Sequence, residues 1–492
     1  MRRSVLVLVT LAINADLLVA RGEDWLQFRG STGQGISTAT NVPTEWSDTR
    51  NVAWKQAVPG AGWSSPVVYK GRVYLTSGVP VEGSATRDQS LVALCLDAAT
   101  GRVIWSEQIF LQDGATAPSI HEKNGHASAT PLIEDERVYV HFGHQGTACL
   151  ELTGKVVWEN RDIRFDPGWG NGGSPILVDN ALIFSCDGRT EQFVIALDKK
   201  TGKVLWRTPR PEIENRLKYS FCTPLLIDVD GRRQVVIPAT DVVVAYEPQT
   251  GREIWRVRYK GDSIVPRPVF GHGLVFVTTR YHSPTLIAIR PDGKGDVTDT
   301  HINWSTRRGV PGTPSLLLVG AELYMISDNG LASCLDAKTG RSHWQKRIGG
   351  NHSASPVYAD GRIYAQSEEG NGVVLAAGRK YELLAKNPIG ERTLASYAIA
   401  QGALFIRSEK HLYRIASPTK PKTIARRRAR CLRVRRLSAA ASCPAYTNHR
   451  RWRWQRRRRR VATTVLENPQ DPLPGIRHFL TRRATAIRLG GR

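Results

Sequence analysis

Short apolar runs alternate with glycine and aspartate turns along most of this chain. The stretch "VVYKGRVYLTSG" at positions 67–78 is typical: two apolar segments flank a tight Lys-Gly turn. Runs of this length, bounded by turn residues, predict β-strands and not helices. The 44 Gly and 27 Pro of the 492 residues are spread along the sequence, which fits many turns. We therefore predict an all-β protein.

One motif recurs through the sequence, in forms such as "LDAATGRVIW" (96–105), "LDKKTGKVLW" (197–206) and "LDAKTGRSHW" (335–344). Its tryptophans stand 40 to 53 residues apart, at Trp54, Trp105, Trp158, Trp206, Trp255, Trp304 and Trp344. A fixed period of this size indicates a repeat architecture. Each unit also has an upstream segment that usually begins with Ser-Pro or Thr-Pro, and its pattern predicts four strands, A to D. The motif tryptophan falls in strand D.

The first and last units complement each other. Eight A strands are expected to begin near Ser65, Thr130, Ser174, Thr223, Arg267, Thr313, Ser355 and Ser396. A D-type segment around Trp54 precedes the first of them, whereas the last unit ends at "HLYRIA" without one. Pairing these two segments would remove the open sheet edges. We predict an eight-bladed β-propeller of four-stranded antiparallel blades, closed by an N-terminal strand; the alternative, a solenoid, would require capping units.

The predicted organisation has four parts. Residues 1–22 read as a signal peptide, with Arg2 and Arg3 before an apolar run; an uncleaved anchor is the alternative. Residues 23–50 form an N-terminal arm, 51–416 the propeller and 417–492 an arginine-rich disordered tail. No segment has the apolar length of a transmembrane helix. We expect an exported monomer, periplasmic or secreted.

The positive charge is concentrated in the tail. Residues 417–492 hold 22 of the 69 Lys and Arg residues but only 2 of the 44 Asp and Glu residues. Three interpretations remain open: an arm that binds polyanions, an anchor for anionic lipid or polysaccharide, or an out-of-frame translation of GC-rich DNA. None of them predicts specific nucleic-acid binding by the propeller, whose own charge is nearly balanced.

The long loops predict which face of the propeller binds. The B-to-C and D-to-A connections share one face and contain the insertions at 78–90, 111–128, 161–174 and 209–220. Binding residues concentrate on long loops of a rigid scaffold. The candidate ligand residues at this face are Arg267, Arg280, Asp187, Asp241, Asp328, Glu368 and His126. The alternative is that these polar groups close loops by bonding backbone amides.

No motif predicts catalysis or a metal site. His121, Asn124 and His126, or His141 and His144, lack the partners of a zinc site. In "PDGKGDVTD" (291–299), Asp292, Asp296 and Asp299 do not have calcium-loop spacing, and a hairpin tip is expected. In "GSTGQGIST" (30–38), Thr38 replaces the last glycine of a phosphate loop. The repeated positions of Cys95, Cys149 and Cys334 place them in separate blades, so they are expected to be unpaired and buried.

The repeated motif resembles the pyrroloquinoline-quinone (PQQ) propeller repeats of quinoprotein dehydrogenases and of the outer-membrane-assembly propeller. "DWLQFRGSTGQGIS", "HEKNGHASATP" and "IVPRPVFGHGLVFVTT" are similar to exported planctomycete-type PQQ-binding-like propellers, across residues 23–416. In PQQ dehydrogenases the resemblance implies adjacent cysteines over the cofactor and a calcium ion held by Glu, Asn and Asp. This chain has no adjacent cysteines. The leading hypothesis is a noncatalytic scaffold that binds a protein or carbohydrate partner; the alternative is a PQQ- and calcium-dependent oxidoreductase acting on alcohols or sugars.

Overall fold

The computed structural model describes residues 23–281 and 284–418. These residues form eight antiparallel blades, so the prediction of an all-β, eight-bladed propeller of four-stranded sheets is confirmed. The predicted signal peptide, at 1–22, and the tail from residue 419 onwards lie outside the described residues.

Each blade runs outward from strand A, which lines the central channel, to strand D. The A strands are Val67–Tyr69, Leu132–Glu134, Ile176–Val178, Leu225–Val229, Val269–Gly271, Leu317–Val319, Val357–Ala359 and Ala398–Ala400. The B strands are Arg72–Pro80, Arg137–His141, Ala181–Asp187, Arg232–Ala239, Leu274–Thr278, Glu322–Ile326, Arg362–Gln366 and Ala403–Arg407. The C strands are Gln89–Asp97, Thr147–Glu151, Gln192–Asp198, Val242–Tyr246, Leu286–Ile289, Leu331–Asp336, Asn371–Ala376 and His411–Ala416. The D strands are Val103–Gln112, Val156–Asn160, Val204–Pro209, Glu253–Arg258, Ile302–Thr306, Ser342–Arg347, Leu383–Pro388 and Val52–Ala57.

The eighth blade is built from two distant parts of the chain. Its D strand, Val52–Ala57, pairs antiparallel with the C strand His411–Ala416, and Trp54 lies opposite Arg414. The backbone N–H of Ala416 donates to the carbonyl of Asn51 at 2.8 Å. The propeller therefore has no open C-strand edge in this blade.

The motif tryptophans connect most blades to the next one; the D strand of blade 7, Leu383–Pro388, has no tryptophan. Nε1 of Trp54 donates to the carbonyl of Ala98 at 3.0 Å, and Trp105 makes the same bond to Leu152 at 2.9 Å. Trp158, Trp206, Trp304 and Trp344 repeat this contact in their blades. The apolar core lies between the sheets: Ile183 of blade 3, for example, is in one cluster with Val235 of blade 4.

Blades 4 and 5 depart from the repeat. Gly295–Asp296 adds a fifth strand, parallel to the D strand of blade 4, so the segment expected as a hairpin tip instead extends the neighbouring sheet. Trp255 is fully buried and donates at 2.7 Å to Oε1 of Gln234, whose own amide donates to the carbonyl of Pro291 at 3.1 Å. The side chain of Gln234 therefore links Trp255 of blade 4 to Pro291 of blade 5.

Helical structure in the described residues is limited to a 3-10 turn, Gly143–Gln145, and a single α-helical turn, Thr298–His301. Within residues 23–281 and 284–418, no helix has the length and apolar composition needed to cross a bilayer. Cys95, Cys149, Cys186, Cys222 and Cys334 are all buried, and none of these five forms a disulfide.

Candidate functional site

A ring of hydroxyl groups surrounds the central channel where the A strands begin. The backbone N–H of Ser65 donates to Oγ1 of Thr130 at 3.0 Å, and Thr130 donates in turn to Oγ of Ser174 at 2.9 Å. The same contact links Ser174 to Thr223, Arg267 to Ser315, Ser315 to Ser355, and Ser355 to Ser396. In blade 6 the ring residue is Ser315, two residues after the Thr313 expected from the sequence. These hydroxyls satisfy backbone donors of the neighbouring blade.

The N-terminal arm closes the channel from the face of the A-to-B turns. Trp25 exchanges two backbone hydrogen bonds with Val68, and Tyr358 donates to the carbonyl of Gly35 while accepting from Ser37. These partners lie in the A strands of blades 1 and 7, and the carbonyl of Phe28 accepts from Arg267 of blade 5, opposite blade 1, so the arm spans the channel. The side chain of Phe28, from this arm, lines the channel cavity.

The result is a blind funnel of about 620 Å³ that opens on the face of the long loops. Phe28 contributes to it from the arm side, and the hydroxyl ring contributes Ser65, Thr130, Ser174, Ser315, Ser355 and Ser396. The aromatic residues nearer the loops are Trp63, Trp169, Phe221 and Tyr281. Trp169 is 43% exposed and Leu217, which also lines the funnel, is 47% exposed. Exposed aromatic side chains around a concave site are typical of binding surfaces.

Charged groups reach the funnel from several loops, and Lys123, Arg280 and Glu368 have contacts of their own there. Nζ of Lys123 donates to Oε1 of Glu368 at 2.7 Å, and the same oxygen accepts from Oγ of Ser353 at 2.6 Å. The guanidinium of Arg280 lies 4.9 Å from the ring centre of Tyr281. Two of the predicted ligand residues lie at this funnel. Arg280 is part of its lining, and Glu368 accepts a hydrogen bond from the lining residue Lys123.

Three other predicted ligand residues, Asp187, Asp241 and Asp328, bond to groups of the protein itself. Asp187 forms a buried bidentate ion pair with Arg210, at 3.0 and 2.8 Å. Asp241 and Asp328 close loops by accepting backbone N–H groups, those of Gly261 and Gly312. This is the alternative that the sequence left open for such residues.

His126 and Arg267 also form hydrogen bonds to groups of the protein itself. Nδ1 of His126 lies 3.2 Å from Oε1 and 3.0 Å from Nε2 of Gln112, and burial lowers the pKa of this histidine. Arg267 is 3% exposed, and Nη1 donates to the carbonyl of Phe28 at 2.8 Å. Arg267 therefore holds the arm in place beneath the funnel.

The aromatic residues of the funnel were not among the predicted site residues. Trp63 and Trp169 lie in D-to-A connections and outside the repeated motif, which is the signal that distinguishes them from the structural tryptophans. Phe28 had no such signal, since only the path of the arm brings it to the channel.

The funnel does not match the donor set of a PQQ and calcium site. Calcium requires six to eight oxygen ligands, usually including several carboxylates. Among the described residues, Asp262 supplies the one carboxylate of the funnel lining, and these residues contain no cluster of three acidic, histidine or cysteine side chains suited to a metal. Cys222, in blade 4, is buried and has no neighbouring cysteine in the sequence.

A family model described as "Outer membrane protein assembly factor BamB" matches residues 36–190, 84–237 and 296–380, more than half of the chain. BamB of Yersinia pestis is 26% identical over 245 residues, covering 46% of this chain and 58% of the relative. BamB of Burkholderia pseudomallei is 28% identical over 242 residues, covering 46% and 56%. A polyvinylalcohol dehydrogenase of a Pseudomonas species is 26% identical over 259 residues, covering 44% and 37%. The chain thus spans about half the length of the curated relatives it matches, or less.

Solved structures share the fold at low sequence identity. BamB from Moraxella catarrhalis superposes with a TM-score of 0.52 at 12% identity, covering 73% of this chain and 95% of that one. A europium-containing methanol dehydrogenase superposes with a TM-score of 0.57 at 11% identity, covering 79% and 90%. Together with the family match over more than half of the sequence, the eight-bladed architecture shows that this chain belongs to the PQQ-repeat β-propeller family represented by BamB.

Proposed function

We propose that this protein is an exported binding scaffold whose long-loop face receives a protein partner in the central funnel. The observation that carries the proposal is the funnel itself: it is closed by the arm at one end and lined by Trp63, Trp169, Phe221 and Tyr281 at the other. Large aromatic side chains bury much apolar area with little loss of conformational entropy, which suits a docking surface.

The family supports a protein partner over a carbohydrate. Two of the curated relatives are named as outer membrane protein assembly factors. We propose a periplasmic or secreted location, which the names of these relatives and the predicted signal peptide support. The propeller would act as a monomer. Specific binding of nucleic acid by the propeller is not expected, because the excess of positive charge belongs to residues 417–492 of the sequence.

Site-specific photo-cross-linking tests the proposal. A photoreactive phenylalanine analogue replaces Leu217, which is 47% exposed in the funnel lining, or Val204, which is 51% exposed on the D strand of blade 3. The full chain is expressed in the cell that produces it and irradiated. A discrete protein adduct from position 217 that is absent from position 204 is expected. Equal adducts at both positions would contradict the proposed face, and no adduct at either position would contradict the protein partner.

Carbohydrate binding is the other outcome of this test. Purified protein titrated with defined oligosaccharides would then show saturable quenching of tryptophan fluorescence that Trp169→Ala abolishes. Such a result, without a protein adduct at position 217, would replace the protein partner with a sugar chain at the same face.

The enzymatic alternative is a quinoprotein oxidoreductase acting on alcohols or sugars. Its support is the match to a polyvinylalcohol dehydrogenase, and the carboxylate-poor funnel speaks against it. Adding PQQ and Ca²⁺ to the purified chain separates the two functions. Dye reduction with glucose or an alcohol, together with a quinone absorbance that survives desalting, would establish the oxidoreductase.

A further inference from the structure

Two arginine side chains are buried at the base of the funnel without an acidic partner. Arg29, from the arm, is 0% exposed, and Arg267, at the start of a blade 5 strand, is almost as deeply buried. Within residues 23–281 and 284–418, neither forms an ion pair with a carboxylate. Burying a charge is costly unless a counter-charge or a full set of hydrogen bonds compensates it.

The guanidinium of Arg29 is only partly satisfied. Its Nη2 donates to the carbonyl of Gln34 at 2.8 Å and to that of Leu316 at 2.5 Å. Its Nε and Nη1 are buried and meet no acceptor among the described residues. Buried donors are almost always hydrogen-bonded, to protein or to a bound group, so these two nitrogens are available to donate to a bound group.

Arg267 adds a second cation at the same place. It donates through Nη1 to Phe28, the residue before Arg29, and its backbone N–H donates to Ser315, the residue before Leu316. Burial, and then the charge of Arg267, lowers the pKa of Arg29 to about 9. Burial lowers the pKa of Arg267 to about 10. Both values lie above neutral pH, so both side chains remain charged and repel each other.

The glycine-rich loop "GSTGQG" (30–35) provides the space for these two groups. A β-carbon on Gly33 would stand 2.5 Å from Nη1 of Arg267, and one on Gly35 would stand 2.7 Å from Nη2 of Arg29. Both glycines also have positive φ, at +67° and +84°. The loop therefore brings backbone against both guanidinium groups and supplies no acidic side chain to neutralise them.

We propose that a small inorganic anion, either a halide or an oxyanion, binds at the guanidinium groups of Arg29 and Arg267. It would accept hydrogen bonds from Nε and Nη1 of Arg29. The anion would neutralise the two charges and fasten the arm to blades 5 and 6, which makes this a site separate from the partner surface above it. The site does not depend on the proposed scaffold function.

The test combines diffraction with thermal unfolding. Crystals of the full chain are soaked in sodium bromide or in sodium phosphate, and bromide is located by its anomalous signal. In parallel, the melting temperature is measured in bromide, phosphate and gluconate at equal ionic strength. Gluconate is too bulky for a fully buried site, so it reports the general salt effect.

A matched variant pair isolates the site. Arg407 is also fully buried, and burial also lowers its pKa to about 9, but its Nη1 donates to Ser64 Oγ at 2.5 Å and to Thr76 O at 2.7 Å. We expect saturable stabilisation by bromide or phosphate in the wild type and in Arg407→Met, and its loss in Arg29→Met. We also expect anion density within hydrogen-bond distance of Arg29 Nε.

The two anions distinguish a halide site from an oxyanion site. The wild-type measurements decide the matter even if Arg29→Met fails to fold. If neither bromide nor phosphate raises the melting temperature saturably, and neither crystal shows anion density beside Arg29, the proposal is overturned.

Discussion

The indole ring of Trp158 lies against the α-carbon of Gly202 in the next blade, and a β-carbon placed there would come within 2.5 Å of the ring. Nε1 of the same tryptophan donates at 3.0 Å to the carbonyl of Lys199, in the turn that contains Gly202. The Thr-Gly and Trp of the repeated motif therefore meet across blades and not within one. Glycine is required at position 202 for two reasons: its φ is +71°, and the ring of Trp158 leaves no room for a β-carbon.

Gly202→Ala and Gly231→Ala separate these two requirements. Gly231 has a φ of +78°, but a β-carbon there would meet no heavy atom within 4 Å. Both variants should lose about 1 kcal/mol of unfolding free energy from the left-handed backbone. Gly202→Ala should lose a further ~1–3 kcal/mol because the methyl group overpacks against Trp158. Urea denaturation measures both; equal losses would show that the ring contact contributes nothing.

Trp255→Ala should be the most destabilising truncation among the motif tryptophans, because Trp255 is the one of them that is fully buried. Its ring is fully buried and its Nε1 is bonded to Gln234, so truncation leaves a cavity and an unpaired amide oxygen. We expect a loss of about 3–5 kcal/mol in unfolding free energy. Trp169→Ala is the control, because that residue is 43% exposed at the funnel, and it should cost far less in the same urea titration. A near-neutral Trp255→Ala would contradict its role between blades 4 and 5.

The fold could be predicted because its determinants are local and repeated. The Ser/Thr at the start of the A strand and the motif Trp recur in nearly every blade, in the same environment. Their spacing therefore reveals the repeat from the sequence alone. The site depends on contacts between distant segments. Nothing near Arg267 in the sequence indicates that it would bind Phe28, 239 residues away. Likewise, Asp187 resembles a channel-mouth carboxylate until Arg210 is placed beside it.

The ion pair of Asp187 and Arg210 should contribute to the stability of the fold and not to ligand binding. Both side chains are almost completely buried, so Asp187→Ala leaves an uncompensated guanidinium and should cost about 3–5 kcal/mol of unfolding free energy. The double variant Asp187→Leu/Arg210→Met removes both charges and should recover most of that loss. Chemical denaturation of the single and double variants checks this. A double variant no more stable than Asp187→Ala would show that the pair is not the cause.

A buried histidine, His141, and a partly buried one, His144, should make the propeller sensitive to mild acid. Burial, and then the charge of His144, lowers the pKa of His141 to about 3, and burial lowers that of His144 to about 4. In the unfolded chain both take up protons near pH 6.5, whereas the folded protein does not. The unfolded state thus binds more protons between about pH 6.5 and 4, and the free energy of unfolding must fall as the pH falls through that range.

His141→Asn tests this directly. The asparagine amide can still bond Oγ1 of Thr147, which now lies 2.8 Å from Nδ1 of the histidine, but it does not titrate. The urea midpoint of this variant should therefore decline less steeply than that of the wild type between pH 6.5 and 4. His272→Asn, which replaces an exposed histidine, is the control and should keep the wild-type slope. Identical slopes for His141→Asn and the wild type would mean that another group causes the acid sensitivity.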